Sequence, residues 1–307
     1  MAGHRGVSFS TPGERSLRCL VTAGALAGAM AAPAIVRADP WSSPAVLAGA
    51  LPQRNLPDRF PVAAVNRHGQ SLVAWNRDVL HIRGVVVATG TARGRFAHAQ
   101  QLSRTGLTRA AAIGDDGTAI VVWEERDGSI QAAVRRSHGR FGRPQRISRS
   151  LRGMFSIPSV AVDRSGNALV AWTRSFRSGA TPIDQVQVVT YRAGRAFGAP
   201  VALGSGIGAR VALNARGDAV VSWTSVVETG GTFPVPFSRT SVAQVAIRPA
   251  GGTFGPAATI SATPTFDVHA VIGDGGVVAA AWEHANGPES DPYGAIQTSG
   301  RAVAGAF

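Results

Sequence analysis

Five times in this chain a glycine is followed six residues later by a tryptophan, across a mostly apolar stretch. The segments run from Gly69 to Trp75, Gly117 to Trp123, Gly166 to Trp172, Gly217 to Trp223 and Gly276 to Trp282. Successive tryptophans lie 48, 49, 51 and 59 residues apart. A unit of this length cannot bury its apolar face alone, so it must stack on copies of itself. Two further elements keep the same phase. A Gly and a Phe mark a corner after each Trp, at Gly94 and Phe96, Gly139 and Phe141, Gly194 and Phe197, Gly252 and Phe254, and Gly305 and Phe307. A short segment ending in an apolar and then a small residue follows, as in Ile147-Ser148, Leu203-Gly204 and Ile260-Ser261.

Each unit reads as four short strands. In the third, the expected strands are Ser159–Val162, Asn167–Thr173, Asp184–Arg192 and Pro200–Leu203. Val, Ile, Thr and aromatic residues fill these runs, and turn formers bound them. The second strand is almost continuously apolar, as expected when both faces are covered. The first turn of each unit starts at Asn66, Gly114, Asp163, Asn214 or Gly273. These types either tolerate the turn backbone or bond to their own chain. Five tryptophans at one register are core residues rather than five binding sites.

Four-stranded units of this size are the blades of a β-propeller. The expected fold is all-β, a five-bladed propeller of four-stranded antiparallel blades. Its repeats fall at about 59–104, 105–148, 149–204, 205–261 and 262–307, in a single domain at 39–307. The fifth repeat reaches Phe307 without a fourth strand. The segment 41–48, Trp41-Ser-Ser-Pro44-Ala-Val-Leu47-Ala48, matches Phe141-Gly-Arg-Pro144-Gln-Arg-Ile147-Ser148 in spacing. It is expected to supply the missing strand and close the ring without a free edge.

Residues 1–38 read as a secretory signal peptide. Arg5, Arg15 and Arg18 precede the apolar run Leu20 to Val36, and Val36 and Ala38 form a small-residue cleavage site before Asp39. The protein is therefore expected outside the cytoplasm, in the cell envelope or beyond it. An uncleaved segment would act as an anchor, although Pro33 interrupts it. Cys19 is the only cysteine and leaves with the leader, so packing alone must hold the domain. No second apolar run is long enough to cross a membrane. Net charge is +13 at pH 7, and every basic side chain is Arg, the bias of a high-GC bacterial genome.

The run Val-Ala-Val-Asp163-Arg-Ser-Gly166-Asn-Ala-Leu-Val-Ala-Trp172 resembles secreted bacterial propeller repeats of high-GC genomes, in the sialidase-like and WD40-like architectural group. The resemblance covers essentially all of 41–307 and implies architecture only, since propellers host lectins, hydrolases, lyases and scaffolds. The chain departs from sialidases. Their Asp-box sets Trp close behind its Asp, whereas Trp172 follows Asp163 by nine residues. Their nucleophile is a Tyr, and Tyr191 and Tyr293 lie in no distinctive motif. The inner-strand carboxylates of five-bladed glycoside hydrolases have no counterpart in the third repeat. Tachylectin-type lectins match in repeat length alone.

In an up-and-down meander, the first and third turns of each blade share one face, and the second turn and the connection to the next blade share the other. The second face varies in length, most of all at Thr224–Thr240, so function is expected there. Arg109, Arg210, Asp267 and His269 start the first strands, and Glu124, Glu125, Arg174, Glu283 and His284 follow the tryptophans. Arg109, Arg210, His269, Glu125, Arg174 and His284 are candidates for binding a glycan, a cell-wall polymer or an envelope protein. Glu124, Asp267 and Glu283 are candidates for glycoside hydrolysis, the alternative function. Asp163-x-Ser165-x-Asn167 has the alternating oxygens of half a calcium loop, but the other repeats lack it, so no metal or cofactor is expected. The constant face carries Arg67, Arg164 and Arg216 in its inner turns. Its outer corners carry Arg93, Arg95, Arg140, Arg143, Arg192 and Arg195. That collar suits electrostatic adhesion to an anionic polymer, a third reading. Nucleic acid is not expected, because no stacking aromatics interleave the arginines. A monomer is expected.

Overall fold

The computed structural model describes Leu47 and residues 61–79, 82–148, 157–178, 181–229, 238–261, 264–284 and 296–302. The chain divides into Met1–Ser43 and Pro44–Phe307, and every described residue lies in the second unit. The signal peptide, nearly all of the closing strand 41–48, Tyr293 and Phe307 lie outside the described residues.

The described chain contains strands and no helix. β1 (Val62–Val65), β2 (Ser71–Val79), β3 (Ile82–Gly90) and β4 (Gln100–Ser103) form the first antiparallel sheet. β5 (Leu107–Ile113), β6 (Ala119–Glu124), β7 (Ile130–Arg135) and β8 (Gln145–Arg146) form the second. β9 (Ser159–Val162), β10 (Ala168–Ser178), β11 (Thr181–Tyr191) and β12 (Val201–Ser205) form the third. β13 (Ile207–Leu213), β14 (Ala219–Thr229), β15 (Ser238–Arg248) and β16 (Ala258–Thr259) form the fourth. β17 (Thr265–Ile272), β18 (Val277–His284) and β19 (Ile296–Ala302) form the fifth. In every sheet the strands pair in chain order. First strands neighbour one another, β1 beside β5, β5 beside β9, β9 beside β13 and β13 beside β17. Five such sheets fit a propeller.

In the third sheet β9 occupies its expected residues, whereas β10 and β11 run several residues past the expected hairpin end. The fourth sheet corrects the expected loop at Thr224–Thr240. β14 continues to Thr229 and β15 begins at Ser238, with 230–237 outside the described residues. Thr224, Val226, Val227 and Thr229 are β-branched, so the backbone ladder extends beyond the core.

The tryptophans explain how the sheets join. Trp123, Trp172 and Trp223 are fully buried and Trp282 nearly so. Each packs on the sheet before its own. Trp123 meets Leu72, Ala74, Val85 and Val87 of the first sheet. Trp172 meets Ile120, Val122 and Ile130 of the second. Trp223 meets Leu169 and Val186 of the third, and Trp282 meets Ala243 of the fourth. Glycines clear the space: a side chain at Gly106 would strike the Trp123 ring, and one at Gly206 would strike Trp223. Burying one such side chain is worth about 3–5 kcal/mol against truncation to Ala.

Two faces are left over. On β2, Ser71, Val73 and Trp75 point away from Leu72 and Ala74, and Trp75 is only half-buried. On the fifth sheet, Val271, Val277 and Ile296 point away from the fourth sheet and are 62, 59 and 70% exposed. Val65 of β1 is 68% exposed.

Candidate functional site

The first turns of the first, third and fourth sheets are each locked by the side chain that opens them, and those of the second and fifth, opened by Gly114 and Gly273, close on backbone bonds. Asn66 Oδ1 accepts from the amides of His68 and Gln70, Asp163 Oδ1 from Ser165 and Asn167, and Asn214 Oδ1 from Arg216 and Asp218. The turns also join one another. Asn66 Nδ2 donates to the Gly114 carbonyl, and Asn214 Nδ2 donates to that of Gly273. Asp115 of the second sheet pairs with Arg67 of the first at 3.1 Å and Arg164 of the third at 3.5 Å. Arg164 also reaches Asp274 of the fifth sheet at 3.7 Å, and Asp274 caps the Ala215 amide of the fourth. Arg216 pairs with Asp218 at 3.1 Å. The inner rim of the expected basic collar is therefore charge-balanced. The corner arginines, Arg93, Arg95, Arg140, Arg143, Arg192 and Arg195, stand exposed with no ion pair among the described residues. They belong to the first three sheets.

The opposite, hairpin end carries the predicted site residues, and β-bulges position several of them. Pairing slips between Thr108 and Ala110 in β5, between Ile207 and Arg210 in β13, and between Phe266 and His269 in β17. Bulges re-aim side chains and recur beside functional sites. At the β5 bulge, Arg109 grips Glu124 through Nε at 3.2 Å and Nη2 at 2.8 Å. Glu124 is buried, so this pair is a closed structural unit. At the other two bulges three expected residues meet across adjacent sheets. Arg210 Nη2 lies 2.8 Å from Asp267 Oδ1, and His269 Nε2 lies 3.2 Å from Asp267 Oδ2. All three are about half-exposed. Asp267 has φ of 43°, the one positive value among the described residues other than glycine. The Arg210 hydrogen bond outweighs partial burial and, with His269, holds the Asp267 carboxyl below its ordinary range.

The remaining candidates divide. Glu125 accepts from Ser103 Oγ, Thr105 Oγ1 and Trp123 Nε1 at 2.6–2.8 Å, which fastens the connection between the first two sheets. His284 is buried, with Nδ1 at 3.1 Å from the Pro264 carbonyl. Arg174 lies over the Phe176 ring at 4.6 Å and lines a groove of about 390 Å³ with Arg146 and Gln187. Glu283 pairs across the sheet with Phe266 and Ile296, which places it on the uncovered face of the fifth sheet rather than at the rim. No hydrogen bond or ion pair links Glu124, Asp267 and Glu283 to one another among the described residues. Nor do three His, Cys, Asp or Glu side chains gather there as metal ligands.

Sequence reasoning passed over Asn76, a buried residue just after Trp75. Its side chain accepts from the Thr108 amide and donates to the Gly106 carbonyl. It also passed over Arg135, buried at the end of β7 on the turn face. The available signal was an Arg closing an apolar strand at the register that Arg248 fills in β15.

No protein-family model matches this chain, and no curated protein matches it. Solved structures do. A protein of unknown function from Dyadobacter fermentans shares 13% identity at a TM-score of 0.45, covering 78% of this chain and 77% of its own. The polysaccharide lyase Uly1 shares 10% at 0.46, covering 78% of this chain, which spans 57% of the lyase. The six-bladed fucose-recognising lectin of Aleuria aurantia shares 11% at 0.35, covering 75% and 89%. Similarities this distant specify neither ligand nor activity.

Proposed function

We propose that the five sheets close into one five-bladed ring, that the protein is secreted, and that it binds a carbohydrate or another cell-envelope partner through its hairpin face. Closure is supported by two matching faces. Trp75 stands on the first sheet where Trp123 stands on the second, and the fifth sheet offers exposed Val271, Val277 and Ile296. Contiguous apolar surface of this kind calls for a mate. Segment 41–48 would complete the fifth sheet.

The binding reading is carried by one observation, the meeting of Arg210, Asp267 and His269 at bulges on neighbouring sheets. A guanidinium fixed beside a carboxylate and an imidazole presents donors and acceptors side by side, which suits sugar hydroxyls or an acidic group. Hydrolysis fits less well. A glycosidase needs two carboxyls facing one site about 5–9.5 Å apart, with one of them protonated. Here Arg210 keeps Asp267 ionised, Arg109 consumes Glu124, and Glu283 stands on the seam.

The test is binding of the purified protein to an array of glycans and cell-wall polymers, at low salt and at about 0.5 M salt, where surface charge is screened. Salt-resistant binding to one glycan class, lost in Arg210→Ala, is the expected result. Binding to every anionic polymer that vanishes at high salt moves the function to the corner arginines. No binding removes the carbohydrate reading and leaves a protein partner.

A further inference from the structure

Between the turns of the first and second sheets, at the end away from the hairpins, lies a cavity of about 710 Å³. His68, Arg95, Asp115, Asp116, Arg135 and His138 supply its charged and titratable groups. The size suits a small ligand, within the range of about 300–1,000 Å³ common for such sites. Its carboxylates are already engaged. Asp115 holds Arg67 and Arg164, and Asp116 accepts from the amide and hydroxyl of Thr118 at 2.9 and 2.6 Å.

Its arginines are not engaged in the same way. Arg95 is exposed and has no ion pair among the described residues. Arg135 is only 9% exposed. It makes a single hydrogen bond, from Nη2 to the Gly117 carbonyl at 3.2 Å, and its buried Nε has no partner. Burial alone pushes its pKa down, with no carboxylate opposing it.

Arg248 is the control that the repeat itself provides. It pairs with Ala219 as Arg135 pairs with Ala119, and its Nη2 reaches the Gly217 carbonyl in the same way. Arg248 likewise has a buried Nε without a partner, and burial, with Arg192 nearby, holds its pKa down; it differs in also donating to Thr190 Oγ1, in lying 5.5 Å over the Phe254 ring, and in feeling the opposing field of Asp163 and Asp218. Carboxylates partly offset the burial of one guanidinium, and none offsets that of its twin beside the open cavity. An uncompensated buried charge is costly, and a bound anion is the simplest remedy.

We propose that this cavity is a binding site for a small carboxylate-bearing sugar. Arg135 and Arg95 hold the carboxylate, and His138 with the neighbouring hydroxyls of Thr89, Thr91 and Ser137 meets the sugar ring. The site lies at the opposite end from Arg210, so it stands or falls independently of the hairpin-face reading.

The experiment is calorimetric titration of the full chain with glucuronate, glucose, inorganic phosphate and sulfate. Glucuronate saturates, glucose does not, and Arg210→Ala leaves this binding intact. Arg95→Ala weakens it by about tenfold or more, and Arg135→Met abolishes it. Arg135 is buried, so a folded circular-dichroism spectrum is required of that variant; should it fail to fold, the exposed Arg95→Ala and His138→Ala carry the test. The proposal is overturned if glucuronate gives no saturable heat, if glucose binds equally, or if binding survives Arg95→Ala unchanged. Saturation by phosphate or sulfate alone overturns the sugar-acid assignment.

Discussion

The two ends of this molecule obey different rules. At the turn end, five hairpins share one form, and their Asn, Asp and Arg side chains reach from sheet to sheet. At the hairpin end, strands run to different lengths, bulges interrupt three first strands, and a non-glycine residue adopts positive φ. Regular repetition holds the sheets in place at one end. Each repeat departs from its siblings at the other, where a departure costs little stability and can gain a ligand.

The largest effect that sharpens this contrast is in the core between the ends. Trp172→Ala or Trp223→Ala should cost about 3–5 kcal/mol in urea unfolding. Trp75→Ala should cost much less if the first sheet keeps an open face, and as much if the ring closes. Gly206→Ala comes next. Its backbone has φ of 151°, and an added Cβ would sit 2.4 Å from the Thr224 carbonyl oxygen. A loss of about 1–3 kcal/mol is expected by thermal denaturation. At the turn end, Asp218→Ala removes an acceptor used by Asn214 Nδ2 and the Ala250 amide, for about 2 kcal/mol. Burial opposes ionisation of Asp218, but bonds from Asn214 and Ala250, with Arg216, win and hold its pKa below the ordinary value. That contribution is full above the unfolded pKa of about 3.9 and fades as pH falls through the folded value. The variant should therefore show a flatter acid limb below about pH 4 than the parent. The smallest effect is at the hairpin end. Asp267→Gly relieves a positive φ and removes an exposed ion pair, so stability should change by less than about 1 kcal/mol, while binding through Arg210 is lost. A large destabilisation there would mean that the bulge is structural rather than functional.

The strand content was legible because it is periodic. The Gly-to-Trp spacing placed β2, β6, β10, β14 and β18, and Asn66, Asp163 and Asn214 at three turn starts announced side chains that bond their own backbone. The candidate site was legible in part. The first-strand residues Arg210, Asp267 and His269 could be singled out by position, yet nothing in their spacing told that bulges on separate sheets would bring them into contact. Glu125 and His284 looked equally available, and only the three-dimensional path of the connections reveals that each is tied to its own fold. The collar misled for a related reason. Arg67 lies 48 residues before its partner Asp115, and such a pairing has no local signature.

From the second repeat on, each repeat's tryptophan is buried against the repeat before it. A chain built this way carries its adhesive on the trailing unit. During synthesis every newly emerged repeat finds its receptor already made, so assembly runs from the amino end toward the carboxyl end, one docking at a time. The same logic makes the blade number easy to change in evolution. A duplicated repeat brings both a tryptophan for its predecessor and a slot for its successor, and needs no other surface to be redesigned.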